Sequence, residues 1–148
     1  MPDFKRIIIP VDNTDDSKNA VKKGALLAKL LKIEAKMITV NDTHQFMSSV
    51  VLEEKLKKEA SAFMEEFKKI GEEIGVKIQT ELITGKPAEE IVKYSKKDDL
   101  IVIAQHDRTK GIDKYIEENI SRDVIRNAPC SVLVIKNIWM WRDKKYWI

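Results

Sequence analysis

Asp12, His44, His106 and Asp107 are the side chains best equipped for chemistry in this chain. Each follows a short apolar run: Arg6–Val11 precedes Asp12, Ala35–Val40 precedes the turn holding His44, and Leu100–Ala104 precedes His106 and Asp107. Two imidazoles and two carboxylates brought to one crevice have the chemistry of a divalent-metal site. Their spacing matches no compact metal motif, so no metal is expected. Asp12 has two readings, a residue that positions a ligand and one that satisfies backbone donors in its own turn. No Ser, His and Asp arrangement has the spacing of a hydrolytic triad, and no catalytic residue is assigned. The chain therefore reads as a non-enzyme. Its single cysteine, Cys130, lies between Pro129 and an apolar run and is expected to be a buried, inert thiol.

The elements that must position these residues alternate in type. Leu100–Lys136 reads as buried strand, polar loop, amphipathic helix and second buried strand, a βαβ unit with a right-handed connection. Ile116, Ile120, Val124 and Ile125 recur at helical spacing, and Ala128-Pro129 stops that helix, since proline lacks the N–H and disfavours a helical residue before it. Earlier in the chain, a helix capped by Asp16 or Ser17 is expected to run to about Leu31. Its stripe of Ala20, Val21, Gly24, Ala25, Leu27, Ala28 and Leu31 is small enough for close approach to a sheet. Leu52, Leu56, Ala60, Phe63, Phe67, Ile70 and Ile74 describe a long amphipathic helix that Gly75 can end. Residues 76–83 alternate as a strand nearer an edge, and Pro87 opens a short helix over Ala88–Ser95. The order β-α-β-α-β-α-β-α-β predicts one parallel sheet with helices on both faces. In such a sheet the loop Gln105–Asp113 falls where ligands bind.

At 148 residues the chain is long enough for a sizeable core. A net charge of +3, with Lys and Glu interleaved, describes solvated helix faces rather than a nucleic-acid footprint. No stretch approaches the ~20 apolar residues of a membrane span, and MPDFKRIIIP lacks a signal-peptide layout. With one cysteine, a reducing cytoplasm is the expected compartment.

Residues 4–136 resemble the universal stress protein family. The resemblance rests on RIIIPVD at Arg6–Asp12, the small-residue helix from Ser17, ITVND at Ile38–Asp42, TGKPAEEIV at Thr84–Val92, LIVIAQH at Leu100–His106 and VIRNAPCSVLVI at Val124–Ile135. It implies a domain over residues 1–136, with a doubly wound five-stranded parallel sheet ordered 3-2-1-4-5, like that of adenine nucleotide alpha hydrolases. It also implies homodimers that pair through the final strand, Val132–Ile135, and an apolar edge there would need such a cover.

Nucleotide-binding members of the family carry Gly-x2-Gly-x9-Gly-Ser/Thr after the fourth strand. The matching positions here hold Gln105, Arg108, Glu118 and Asn119, so all three glycines are missing. Glycines in a phosphate loop permit positive φ and let backbone N–H groups reach the anion. Glu118, expected near a helix N-terminus, also puts negative charge where phosphate would sit. Like charges 4 Å apart repel by about 4 kcal/mol at an effective dielectric near 20, and half of that is more than tenfold in affinity. Asp12 and Val40 match residues that lie around the nucleoside in ATP-binding relatives. The resemblance thus implies a stress-response or regulatory module without high-affinity ATP binding, with at most weak ATPase activity and with no cofactor expected, ATP being the candidate if there is one. The alternative is an adenine-nucleotide binder whose remodelled loop uses Arg108 and Lys110 on the phosphates.

Residues 137–148, NIWMWRDKKYWI, fall outside the resemblance and form an aromatic C-terminal extension. They hold all three tryptophans of the chain, Trp139, Trp141 and Trp147. A segment so aromatic needs cover, from its own dimer, from a protein partner docking on Trp139–Ile148 or, ranked below these because the segment is short and its charges are mixed, from a membrane surface.

Overall fold

The computed structural model describes residues 4–42, 50–105 and 113–136, with 113–119 as backbone alone. The expectations placed on His44, His106, Asp107, Arg108, Lys110 and the C-terminal extension lie outside the described residues.

Strands and helices alternate as expected: β1 (Arg6–Pro10), α1 (Asp15–Leu31), β2 (Glu34–Asn41), α2 (Val50–Ile74), β3 (Ile78–Thr84), α3 (Pro87–Tyr94), β4 (Asp99–Ala104), α4 (Asp113–Asn127) and β5 (Ser131–Ile135). The five strands form one parallel sheet in the order β3-β2-β1-β4-β5. Because side chains alternate across a strand, the Ile-rich β1 feeds two cores at once. Ile7 and Ile9 join Met37, Val102 and the small residues of α1 beneath α1 and α2. Ile8 joins Ile38, Ile101, Ile91 of α3 and Val124 of α4 on the other face. Among the described residues, no helix is long and apolar enough to cross a membrane.

The close approach anticipated for α1 centres on Gly24. A Cβ there would lie 2.6 Å from Ile9 Cδ1, so the Ile9 side chain would have to shift to admit it. The cap of α1 is Thr14, rather than Asp16 or Ser17. Thr14 is extended and its hydroxyl accepts from the Ser17 N–H at 3.1 Å, which starts the helix at Asp15. Ser17 is unavailable as a cap because its hydroxyl is turned back to Asp12.

Two further details depart from expectation. Ile125 is exposed, since Val124 already faces the sheet and the next residue is turned about 100° away. β4 is buried along its whole length, but β5 is only partly covered, because it is the sheet's edge and Leu133 is left 38% exposed.

A buried ion pair joins the lower ends of β1 and β4. Arg6 Nε donates to Asp99 Oδ1 at 2.8 Å, and Arg6 Nη2 donates to Asp99 Oδ2 at 3.0 Å. The Lys96 N–H donates to the same carboxylate at 2.7 Å, and the guanidinium lies 4.9 Å from the Tyr94 ring centroid. The turn between α3 and β4 is thereby fastened to the first strand.

Candidate functional site

The sheet's order reverses between β1 and β4, and open parallel sheets bind ligands at such a switch point, beyond the strands' C-terminal ends. A crevice of about 120 Å³ opens there. Its apolar lining includes Ile38 and Val40 of β2, Ile91 of α3 and Ile103 of β4, and its polar atoms come from Asp12, Ser17 and Ser121. β1 delivers Asp12 one residue after Val11, whose N–H still bonds Ile38 of β2 at 2.9 Å. The floor and the acidic rim are therefore fixed by the same backbone ladder.

Asp12 is the hub of a small hydroxyl network. Its Oδ1 accepts from Thr14 Oγ1 at 2.5 Å and from Ser17 Oγ at 2.8 Å. The Asp12 N–H in turn donates to Ser17 Oγ at 2.9 Å. Two donors to the carboxylate are thus the hydroxyls of Thr14 and Ser17, at the start of α1. This arrangement fixes the carboxylate's position at the mouth of the crevice. Across from it, Ser121 of α4 donates to the Ala104 carbonyl at 3.4 Å, a long bond. Ser17 and Ser121 had no signal in the sequence as site residues, since a lone serine acquires that role only once a tertiary fold puts it on a crevice.

The residues standing at the glycine positions fall in different places. Gln105 follows β4, half-buried, and its N–H bonds the Ile135 carbonyl at 2.8 Å, so it extends the ladder between β4 and β5. Glu118 and Asn119 lie within α4, which begins at Asp113. Glu118 is thus in the second turn, not at the helix N-terminus as expected, because the helix starts before the apolar stripe does. Val40 lines the crevice together with Asp12. Among the described residues, no group of three His, Cys, Asp or Glu side chains is placed to hold a metal. Cys130 is half-buried; burial pushes its thiol above the ordinary value and the negative charge of Asp99 adds to the rise, which disfavours the reactive thiolate.

Comparison with known proteins gives concordant results. Residues 3–136 match the family model of the universal stress protein family. A curated universal stress protein of Methanocaldococcus jannaschii is 38% identical over 141 residues, covering 90% of this chain and 82% of the relative. A solved structure described as a hypothetical protein, used for structure-based assignment of biochemical function, superposes with a TM-score of 0.75 at 29% identity, over 90% of this chain and 96% of that one. The universal stress protein of Archaeoglobus fulgidus, solved in complex with dAMP, shares the fold at a TM-score of 0.66 and 20% identity, over 92% and 100% of the two chains.

Proposed function

Because the chain belongs to the universal stress protein family, we propose that it is a homodimeric stress-response module of the cytoplasm, regulatory rather than catalytic, without high-affinity ATP binding. The observation that carries this reading is the size of the crevice together with the residues beside it. Ligand sites for drug-sized molecules span roughly 300–1,000 Å³, whereas about 120 Å³ is the room of a single ring; a cavity near 150 Å³ takes up benzene. A triphosphate is larger than this crevice, and the sequence holds Gln105, Arg108 and Glu118 at the positions where the family's nucleotide binders carry glycines. Residues with a Cβ restrict the backbone conformations by which glycine lets N–H groups reach an anion. The homodimer reading is supported by β5, an apolar edge strand with Leu133 exposed.

A second reading is favoured by the retained upper pocket. Asp12 and Val40 both line the crevice, and a relative of the same fold was solved with dAMP. In this reading the chain holds an adenine nucleotide by its base, with Arg108 and Lys110 meeting the phosphates.

Calorimetric titration of Mg²⁺-ATP into the wild type and into a Glu118→Gly, Asn119→Ser variant separates the two. The expected result is no heat of binding from the wild type and measurable binding by the variant. Low-micromolar binding by the wild type would overturn the first reading in favour of the second. Silence from both proteins would show that glycine at 118 and serine at 119 do not by themselves restore a nucleotide site.

A further inference from the structure

α1 is charged unlike the helix beside it. From Ser17 to Ile33 the chain holds five lysines and no aspartate or glutamate, whereas α2 interleaves lysine and glutamate along its length. Two of the five lysines are engaged on the α2 side. Lys18 Nζ lies 3.5 Å from Glu66 of α2 and 3.8 Å from Asp15, and Lys29 Nζ donates to the Ile74 carbonyl at 2.8 Å. Lys22 and Lys23 are exposed, and no described residue forms an ion pair with either. The acids of α1, Asp15 and Asp16, are confined to its first turn.

Among these lysines the helix turns two large apolar side chains to solvent, Leu26 at 46% and Leu30 at 68% exposure. Buried Gly24 and Ala28 mark the sheet side of α1. Leu26 is two residues from each, so at about 100° per residue it points nearly straight away from the sheet. Lys22 and Lys23 precede Leu26 by four and three positions, and Lys29 and Leu30 follow it by three and four. All four are therefore its neighbours on the helix surface. The result is a convex ridge about 12 Å long, at ~1.5 Å per residue, with an apolar crest and cationic flanks.

Charge and shape together select what such a ridge can meet. A second copy packed on it about a two-fold axis would bring like lysines face to face. A nucleic acid would pair with the lysines but leave the leucines in water. An anionic bilayer uses both kinds of side chain. Lysine stems lie along apolar surface with their ammonium groups at the headgroups, while leucines enter the boundary between headgroups and acyl chains. We propose that the outer face of α1 is a docking ridge for an anionic phospholipid surface, with Leu26 and Leu30 entering that boundary and Lys22 and Lys23 meeting the headgroup phosphates. The attachment is peripheral and weak, since two leucines offer less apolar area than one acyl chain, which alone binds only marginally. Most of its strength is electrostatic, and salt screens it.

The test is co-sedimentation of the full chain with vesicles of phosphatidylglycerol and phosphatidylcholine in equal parts, and with phosphatidylcholine alone. Three double variants accompany the wild type: Lys22→Glu with Lys23→Glu, Leu26→Gln with Leu30→Gln, and Lys57→Glu with Lys58→Glu. The last pair is exposed on α2 and changes the net charge by the same amount as the first. All six positions are exposed, and circular dichroism verifies each fold. The expected result is salt-sensitive binding of the wild type to the anionic vesicles alone. A lysine at an anionic surface strengthens binding roughly fivefold, so the α1 lysine pair should weaken it at least ~25-fold, while the α2 pair retains it and the leucine pair lowers it. No binding by the wild type overturns the proposal, and so does binding that survives loss of both leucines. Equal loss in both lysine pairs makes the attraction one of net charge, and equal retention places the lipid contact elsewhere; either overturns it. Capture of a single-stranded RNA in place of vesicles, or self-association without lipid that the leucine pair abolishes, gives the ridge to another partner and overturns it too.

Discussion

At the scale of single residues, Asp99 has the clearest energetic role. It is 2% exposed, accepts two hydrogen bonds from Arg6 and a third from the Lys96 N–H, and those bonds to Arg6 lead the effects that raise the guanidinium's pKa. Asp99→Asn keeps the shape but leaves the cation uncompensated in a low-dielectric setting. Breaking one partner of such a pair costs about 3–5 kcal/mol, and the expected result is a lower urea midpoint with an unchanged slope. An unmoved midpoint would mean that the pair is screened as a surface bridge is. Nothing local in the sequence announces this pair, because its members are 93 positions apart and meet only when β1 and β4 become neighbours. Asp12 was legible for the opposite reason: it directly follows an apolar strand, and strand ends are where a parallel sheet exposes side chains. Its partners Thr14 and Ser17 were legible as a polar cluster but not as its ligands.

At the scale of elements, periodicity carried most of the fold. The strand and helix order, the edge character of β3, the end of α2 at Gly75 and the proline at the head of α3 all follow from residue types at fixed offsets. Strand order came from family resemblance, since alternation alone leaves several parallel orders open. The long helix α2 was found, yet its buried line is Ala60, Met64, Phe67 and Gly71, with Phe63, Ile70 and Ile74 beside it. An amphipathic stripe has two edges, and contact with both α1 and the sheet decides which edge is deepest. Gly24 of α1 is a sharper case. Glycine in a helix is ordinarily replaced by alanine with a gain of about 1 kcal/mol. Here the added methyl would press on fully buried Ile9, and overpacking costs about 1–3 kcal/mol. Gly24→Ala should therefore lower stability by roughly 1 kcal/mol net in urea titration; a gain would mean that α1 rides farther from the sheet.

At the scale of the whole molecule, β5 is an apolar edge strand that the other described residues cover only in part. The proposed homodimer predicts that those backbone amides of Ser131–Ile135 that face away from β4 exchange slowly at high protein concentration and lose protection on dilution, in step with dissociation measured by sedimentation. A monomeric species at every concentration would remove the dimer from the proposed function. The strand order has a separate consequence for the chain as it is made. β1 is the first strand synthesised and the middle strand of the finished sheet. One of its edges can pair with β2 early, but the other waits for β4, whose last residue is Ala104. At ~5–20 residues per second, that wait is on the order of ten seconds. Throughout it, Arg6 lacks Asp99 and one flank of the Ile-rich strand is open. A nascent chain of this order is most vulnerable between the completion of its second strand and the emergence of its fourth, which closes the open flank of β1.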